Sequence, residues 1–308
     1  MSNPTTVSSK PSASVDTNTP LFPIREVARQ TGINPVTLRA WERRYGLIKP
    51  LRTAKGHRMY SLEHLEQIRK VLDWLERGVA VSQVKRLIED HTQPQNPSDS
   101  PWQAQQNQWL DWIELLAERK LDEGFKQAMA LYPPETLCQH LLLPLLAKLQ
   151  QHGTLTDGAR VEQVFFLTWL RTQLASRIAQ NNRLHSSSPL LIASLSEQAM
   201  EPELWLCAWL ASYSECAVQV FEWPIPAPDL SRAAKRLKPR AVLLHSSQRL
   251  QLEQLRKLLL GIDCPVLLSG PAVSIHQEAL TQFSQLTCSI DPLQTYQNLL
   301  RLNLLQKH

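Results

Sequence analysis

A chain of 308 residues, 43% hydrophobic and 20% charged, is long enough for two or three domains with cores of their own. No run approaches the ~20 apolar residues of a membrane-spanning helix, which argues against an integral helical membrane protein. The net charge of +5 is modest, and its location matters more than its size.

Residues 1–20 are rich in Ser, Thr, Pro and Asn, with a single Lys and no apolar run. They predict a disordered leader, neither signal peptide nor core. Ile24 to Thr31 follows as a short amphipathic helix, with Ile24, Val27 and Ala28 on one face. Gly32 and Ile33 make a turn into Asn34, whose side chain can cap a second helix, and Pro35 suits the first helical position. Gly46 supplies the positive φ that ends this helix, and Pro50 prevents its resumption. Helix, tight turn and second helix form a helix-turn-helix, whose second helix enters the major groove. Lys49 to Tyr60 then reads as a two-stranded wing with Gly56 at its tip.

The charge is concentrated here. Between Arg39 and Arg58 stand seven Lys/Arg against one acid, Glu42, a local +6 that exceeds the charge of the whole chain. Such a footprint fits a polyanion. Asn34, Thr37, Arg39, Trp41, Arg43 and Arg44 on the helix, with Arg52, Lys55, His57, Arg58 and Tyr60 on the wing, are the expected DNA-binding residues.

The run TLRAWERRYGL, continued by Pro50, Arg52 and GHRMY, resembles the winged helix of MerR-type transcription regulators, from about Leu21 to Glu89. Its Trp-Glu-Arg-Arg-Tyr-Gly variant is similar to one branch, which contains CarH-type cobalamin-dependent light sensors and cofactor-free MlrA-type activators. In that pattern Arg39 and Trp41 project from the recognition helix, Arg39 towards a base edge, while Arg52, Arg58 and Tyr60 hold phosphates. Arg43 or Arg44 reading the base instead is the alternative.

Ser61 caps a helix with Leu62, Leu65, Ile68, Leu72 and Leu75 on one face, ended by Gly78. A short helix with Val81, Val84, Leu87 and Ile88 completes a DNA-binding domain over residues 21–90. Residues 91–101 (HTQPQNPSDSP) hold three prolines and no apolar residue, a semi-extended linker between separately folding domains.

Residues 102–184 predict a four-helix bundle. Its first helix carries Trp109, Trp112, Ile113 and Leu116. The second is capped by Asp122 and carries Phe125 and Met129. The third starts at Pro134 and is kinked at Pro144. The fourth runs from about Asp157 to Asn181, with Val161, Val164, Phe165, Trp169 and Ile178. Residues 189–308 alternate strands with helices. Leu190–Leu195, Ala217–Trp223, Ala241–His245, Val266–Ser269 and Leu286–Ile290 predict a parallel, flavodoxin-like α/β sheet covered on both faces.

Bundle and sheet together resemble a cobalamin-binding unit, which implies two motifs. The loop after the first strand should read Glu/Asp-x-His-x-x-Gly, its His serving as the cobalt's lower ligand. Here it is Glu197-Gln-Ala-Met-Glu-Pro202, with Ala199 for the His and Pro202 for the Gly. The bundle should supply Trp-x9-Glu-His, and that spacing holds Gly153 with Gln163 and Val164. Both motifs are degenerate, so no cofactor is expected, and Leu195, Met200 and Trp205 are expected to fill the space. Cys138, Cys207, Cys216, Cys264 and Cys288 have no CxxC pairing and read as reduced buried thiols, so no metal is expected either.

The expected function is a sequence-specific, DNA-binding transcription regulator in the bacterial cytoplasm, associated with the nucleoid. It would act as an activator and homodimer on a two-fold promoter site, with RNA polymerase, and without enzymatic activity or membrane contact. Because the family's usual dimer helix would end near Asp90, dimerisation should rest partly on residues 102–308. A repressor sensing another small ligand through the C-terminal domain is the alternative. A corrinoid-dependent enzyme fits least.

Overall fold

The computed structural model describes residues 20–90, 101–155, 160–197, 201–214 and 216–305. The leader, the linker over 91–100, Ala199 and Met200 lie outside the described residues.

The N-terminal unit opens with strand β1 (Phe22–Pro23) and helix α1 (Ile24–Thr31). Gly32, at φ 73°, takes the left-handed turn. Helix α2 (Pro35–Ala40) follows, and the Asn34 carboxamide oxygen accepts the Val36 N–H at 2.8 Å as its cap. The helix continues through a widened π-turn, Trp41–Tyr45, to Gly46 at φ 59°. The wing is β2 (Leu51–Arg52) against β3 (Arg58–Tyr60), and β1 adds a third antiparallel strand on the far side of β3. Helices α3 (Leu62–Glu76) and α4 (Val81–Asp90) close the unit. Ser61 and His64 cap α3 reciprocally.

The middle segment holds α5 (Pro101–Glu114), α6 (Glu118–Leu131), a rod of α7 (Pro134–Leu137) joined through a π-turn at Cys138–Leu142 to α8 (Leu143–Leu155), and α9 (Arg160–Asn182). The π-turn meets the constraint that Pro144 imposes. Proline has no N–H, and its ring crowds the carbonyl four residues back. That carbonyl belongs to His140, and it accepts instead from Gln106 Nε2 at 2.8 Å. Two expectations are corrected here. Asp122 lies within α6 and accepts from Trp169 Nε1 and Gln173 Nε2, both at 2.8 Å, rather than capping the helix. Val161 and Val164 are exposed, and the core stripe of α9 is Phe166, Trp169, Leu170, Leu174 and Ile178.

The C-terminal unit is a five-stranded sheet of β4 (Leu190–Ser194), β5 (Val218–Phe221), β6 (Ala241–His245), β7 (Val266–Ser269) and β8 (Leu286–Ser289), every neighbouring pair parallel. Its order, β5-β4-β6-β7-β8, is the 2-1-3-4-5 order of doubly wound sheets, with the switch point between β4 and its neighbours β5 and β6. The crossovers are α10 (Pro202–Tyr213), α11 (Ala227–Leu237), α12 (Leu252–Leu260) and the short pair α13 (Ala272–Ile275) and α14 (Gln277–Leu280); α15 (Pro292–Arg301) ends the unit. Alternate residues of β4 and β6 sort between two cores. Leu191, Ala193, Val242 and Leu244 pack with Leu230, Leu255 and Leu258 on one face, while Leu190, Ile192, Ala241 and Leu243 face α10. Helix α10 is buried on all sides from Leu204 to Ser212, as a helix packed between a sheet and other helices must be.

The units also pack against one another. One apolar cluster runs from Val27 and Trp41 through Trp109 and Phe125 to Trp209 and Leu243. Polar bonds cross the same boundaries: Val81 N–H donates to Tyr132 Oη at 3.4 Å, and His140 Nε2 sits 3.0 Å from the Glu76 carbonyl.

Gly78 is pinned twice, by φ 85° and by the His140 ring 3.1 Å from where a Cβ would sit. Gly78→Ala should therefore cost about 1–2 kcal/mol from the backbone alone, read as a lower urea midpoint.

Candidate nucleic-acid interface

Helical spacing divides the recognition helix into two faces. Arg39, Arg43 and Arg44 are exposed, and Lys49, Arg52, Lys55 and His57 carry the exposed surface on into the wing. Arg39, Arg43, Arg44, Lys49 and Lys55 form no ion pair among the described residues. Gly56, at φ 80°, shapes the wing tip, and Thr53 Oγ1 accepts the His57 N–H at 3.1 Å to close it.

The opposite face is core. Leu38 and Trp41 stand three residues apart, Tyr45 four further on, and Trp41 is 0% exposed. Its indole N–H donates to the Leu131 carbonyl, the last residue of α6, at 2.8 Å. Trp41 is thus corrected from a DNA-facing residue to the anchor between the winged helix and the middle helices. Thr37 and Tyr60 are also buried, at 2% and 1%, and leave the contact surface. Burial pushes the Tyr60 phenol above its ordinary pKa, with the neighbouring Glu42 charge adding.

Glu42 organises the rest of the wing. Its two carboxylate oxygens accept from Arg58 Nε at 2.5 Å and Arg52 Nη2 at 2.9 Å. Burial alone would raise the Glu42 pKa, but the two arginines outweigh it and hold the carboxyl below its ordinary range. Arg52 and Arg58, expected on phosphates, are therefore both engaged by the helix they flank. Asn34 remains exposed at the helix start, where Tyr213 at the end of α10 hydrogen-bonds with it.

The crevice at the carboxyl ends of β4 and β6 is where a doubly wound sheet holds a ligand. Here a polar network occupies it. Ser194 Oγ donates to Glu201 at 3.3 Å, Ser247 N–H donates to the same carboxylate at 3.2 Å, and the Ser247 hydroxyl also bonds it. His245 Nε2 lies 3.5 Å from Glu201, both residues being buried. Burial holds the His245 imidazole below its usual pKa although the carboxylate pulls the other way. Pro202, at the motif's Gly position, is the first residue of α10.

Between α9 and α10 the space is nearly closed, with about 10 Å³ beside Leu170, Arg171 and Trp205. Trp205 donates to Glu222 at 3.1 Å, and Arg171 bonds the same carboxylate while its guanidinium lies 5.1 Å from the indole centroid. Trp205 packs in this gap, whereas Leu195 packs on the opposite face of the sheet. Val164, at the bundle motif's His position, points outward on α9. These residues do not fit a cobalamin.

The Trp41 anchor was findable from the Leu38–Trp41–Tyr45 spacing, which lies opposite Arg39 and Arg43. The Glu42 clamp was signalled only by a lone acid within a basic run.

Residues 22–91 match the family described as MerR HTH family regulatory protein. The HTH-type transcriptional regulator MlrA of Escherichia coli (strain K12) is 35% identical over 202 residues, covering 65% of this chain and 79% of the relative. The HTH-type transcriptional repressor CarH of Myxococcus xanthus is 24% identical over 284 residues, covering 83% and 91%. Among solved structures, the methanol:cobalamin methyltransferase complex MtaBC from Methanosarcina barkeri aligns over 70% of this chain and 88% of its own. Its 13% identity and TM-score of 0.34 are too low to argue from.

Glu42→Gln should release two guanidiniums and remove a negative charge from the interface. The expected result is a steeper fall of log affinity with log salt, by about one unit, measured on a bound DNA fragment.

Glu203 gives a pH-dependent signature. Burial, with Glu201 and Asp291 adding, raises its pKa to about 7. A carboxyl whose folded pKa lies above its unfolded one loses stability as pH rises between the two values and stays penalised above them. Glu203→Gln should therefore exceed the wild type in stability at about pH 8 by roughly 1–3 kcal/mol, and lose that advantage near pH 4, in denaturant titrations.

Proposed function

The chain belongs to the MerR family of DNA-binding helix-turn-helix transcription regulators, and from that premise we propose that it is a promoter-specific activator working as a homodimer. The observation that carries this reading is the unpaired basic face of Arg39, Arg43 and Arg44, continuous with Lys55 on the wing. One such helix covers only a few base pairs, so a two-fold site read by two copies supplies the missing affinity. Dimerisation then draws on residues 102–308, because the three prolines of residues 91–101 do not suit a long coiled helix continuing from α4. The protein works in the cytoplasm at the nucleoid and engages RNA polymerase at its promoter. No helix among the described residues is long and apolar enough to cross a membrane.

The middle segment serves as a four-helix bundle and the sheet as a cobalamin-binding-like domain that takes no cobalamin. The bonds of the buried Glu201 to Ser194 and Ser247 and the closed α9–α10 contact support that independence. A repressor that senses a different small ligand is the second reading. It is favoured by the repressor named among the relatives and by an open cleft between the three units.

Selection from random DNA tests the readout. Arg39→Ala should cost about 1–3 kcal/mol and relax preference at one base position, while Lys55→Ala should weaken all sequences alike. An unchanged preferred sequence with Arg39→Ala assigns the reading to Arg43 or Arg44.

Gel filtration after mixing with adenosylcobalamin in the dark tests cofactor independence. The protein peak should be colourless, and DNA binding should be the same in light and dark. A red peak with near-equimolar corrin would overturn this part.

A further inference from the structure

A cleft of about 820 Å³ lies where the three units meet. One wall is the helix-turn-helix itself, from Gln30 to Gly32, with the outer side of α3. The second is the start of α7, and the third is Tyr213 with α15 from Leu293 to Leu300. Its volume lies within the range of small-molecule sites, and junctions between domains are where such sites concentrate. The gap between α9 and α10, by contrast, holds about 10 Å³.

The chemistry of the walls is one-sided. Asp73, Glu76, Glu135 and Asp291 bring four carboxylates, and Arg69 is the one cation among the lining residues. This runs against a chain whose net charge is +5. Asp291 also caps α15 through the Leu293 and Gln294 N–H groups, while Asp73 and Glu76 stand exposed on α3, so an entering cation meets carboxylate charge along that wall. Leu72, Leu293 and Leu300 supply apolar surface between them, and Tyr296 gives an aromatic wall held by its 2.6 Å bond with Ser214. Acidic groups around an apolar and aromatic surface suit an amine carried on a hydrocarbon or aromatic body.

We propose that this cleft binds a small organic cation and that occupancy changes DNA affinity. The second half follows from what the walls are. Gly32 is the turn between α1 and the recognition helix, and Tyr213 hydrogen-bonds with Asn34, the cap of that helix. A ligand bridging α3, α7 and α15 acts on both supports of the recognition helix. It can shift DNA affinity only by as much as it prefers one arrangement of those walls. This second half rests on the regulator reading above, whereas the binding half does not.

The test is calorimetric titration of the full-length protein, without DNA, using spermidine, agmatine and tryptamine as amine probes and adipate as an anionic control. At least one amine should bind with one-to-one stoichiometry and a Kd of about 1 mM or tighter, and adipate should not bind. Asp73→Asn combined with Glu76→Gln, both exposed and neither capping a helix, should weaken that binding at least about tenfold. Gln297→Trp, which fills the cleft from α15, should abolish it. Promoter-fragment affinity should then shift with the bound amine in the wild type and stay constant in the double variant, which controls for amine binding to DNA. Binding by none of the amines, or binding unchanged in both variants, overturns the site. Binding with no shift in DNA affinity overturns the coupling.

Discussion

The structure depends on one side chain doing two jobs at a boundary. Trp41 belongs to the recognition helix by sequence and to the protein core by position. Its indole is fully buried, and its one polar hydrogen reaches the Leu131 carbonyl at the end of α6. A buried indole N–H without a partner costs on the order of 1–3 kcal/mol, so the carbonyl fixes where the ring can go. Arg39, Arg43 and Arg44 are consequently held outward on a helix whose back is welded to the middle segment. The widened turn at Trp41–Tyr45 falls within the same stretch. The basic face and the helices behind it are therefore packed against each other through Trp41.

The same economy governs the other end of the chain. A doubly wound sheet leaves a crevice at its switch point, and here Ser194 at the end of β4, Ser247 in the loop after β6 and the buried Glu201 are joined there by hydrogen bonds. The facing gap beside α9 is taken by Trp205 and the Arg171–Glu222 pair. With both spaces packed, the sheet acts as a wall, and its α10 reaches back to the winged helix. Tyr213 beside Asn34 is the farthest point of that reach.

Much of this was legible in the sequence. The cap at Asn34, the stops at Gly46 and Gly78, and the five strands follow from local signals, because turns and strand runs are set by neighbours in the chain. The strand ends differ by only a residue or two, as with Val218–Phe221 inside Ala217–Trp223. The site was legible in outline, and the failures share a cause. Thr37, Trp41 and Tyr60 carry polar atoms in a basic segment, but whether such residues face water or core depends on what packs behind them, for Trp41 the end of α6. Asp122 illustrates the same point, since a residue with good capping chemistry found partners on another helix instead. The Glu42 clamp, the crevice network and the three-way cleft join residues distant in sequence, which no local pattern reports.

Differential scanning calorimetry of the full-length chain tests the central claim, that the winged helix and the helices behind it unfold as one packed body. The account predicts a single endotherm with equal calorimetric and van't Hoff enthalpies for that region. Trp41→Ala, at a cost of about 3–5 kcal/mol, should split off an earlier transition belonging to the winged helix. Two resolved transitions already present in the wild type, with the first unmoved by Trp41→Ala, would contradict it.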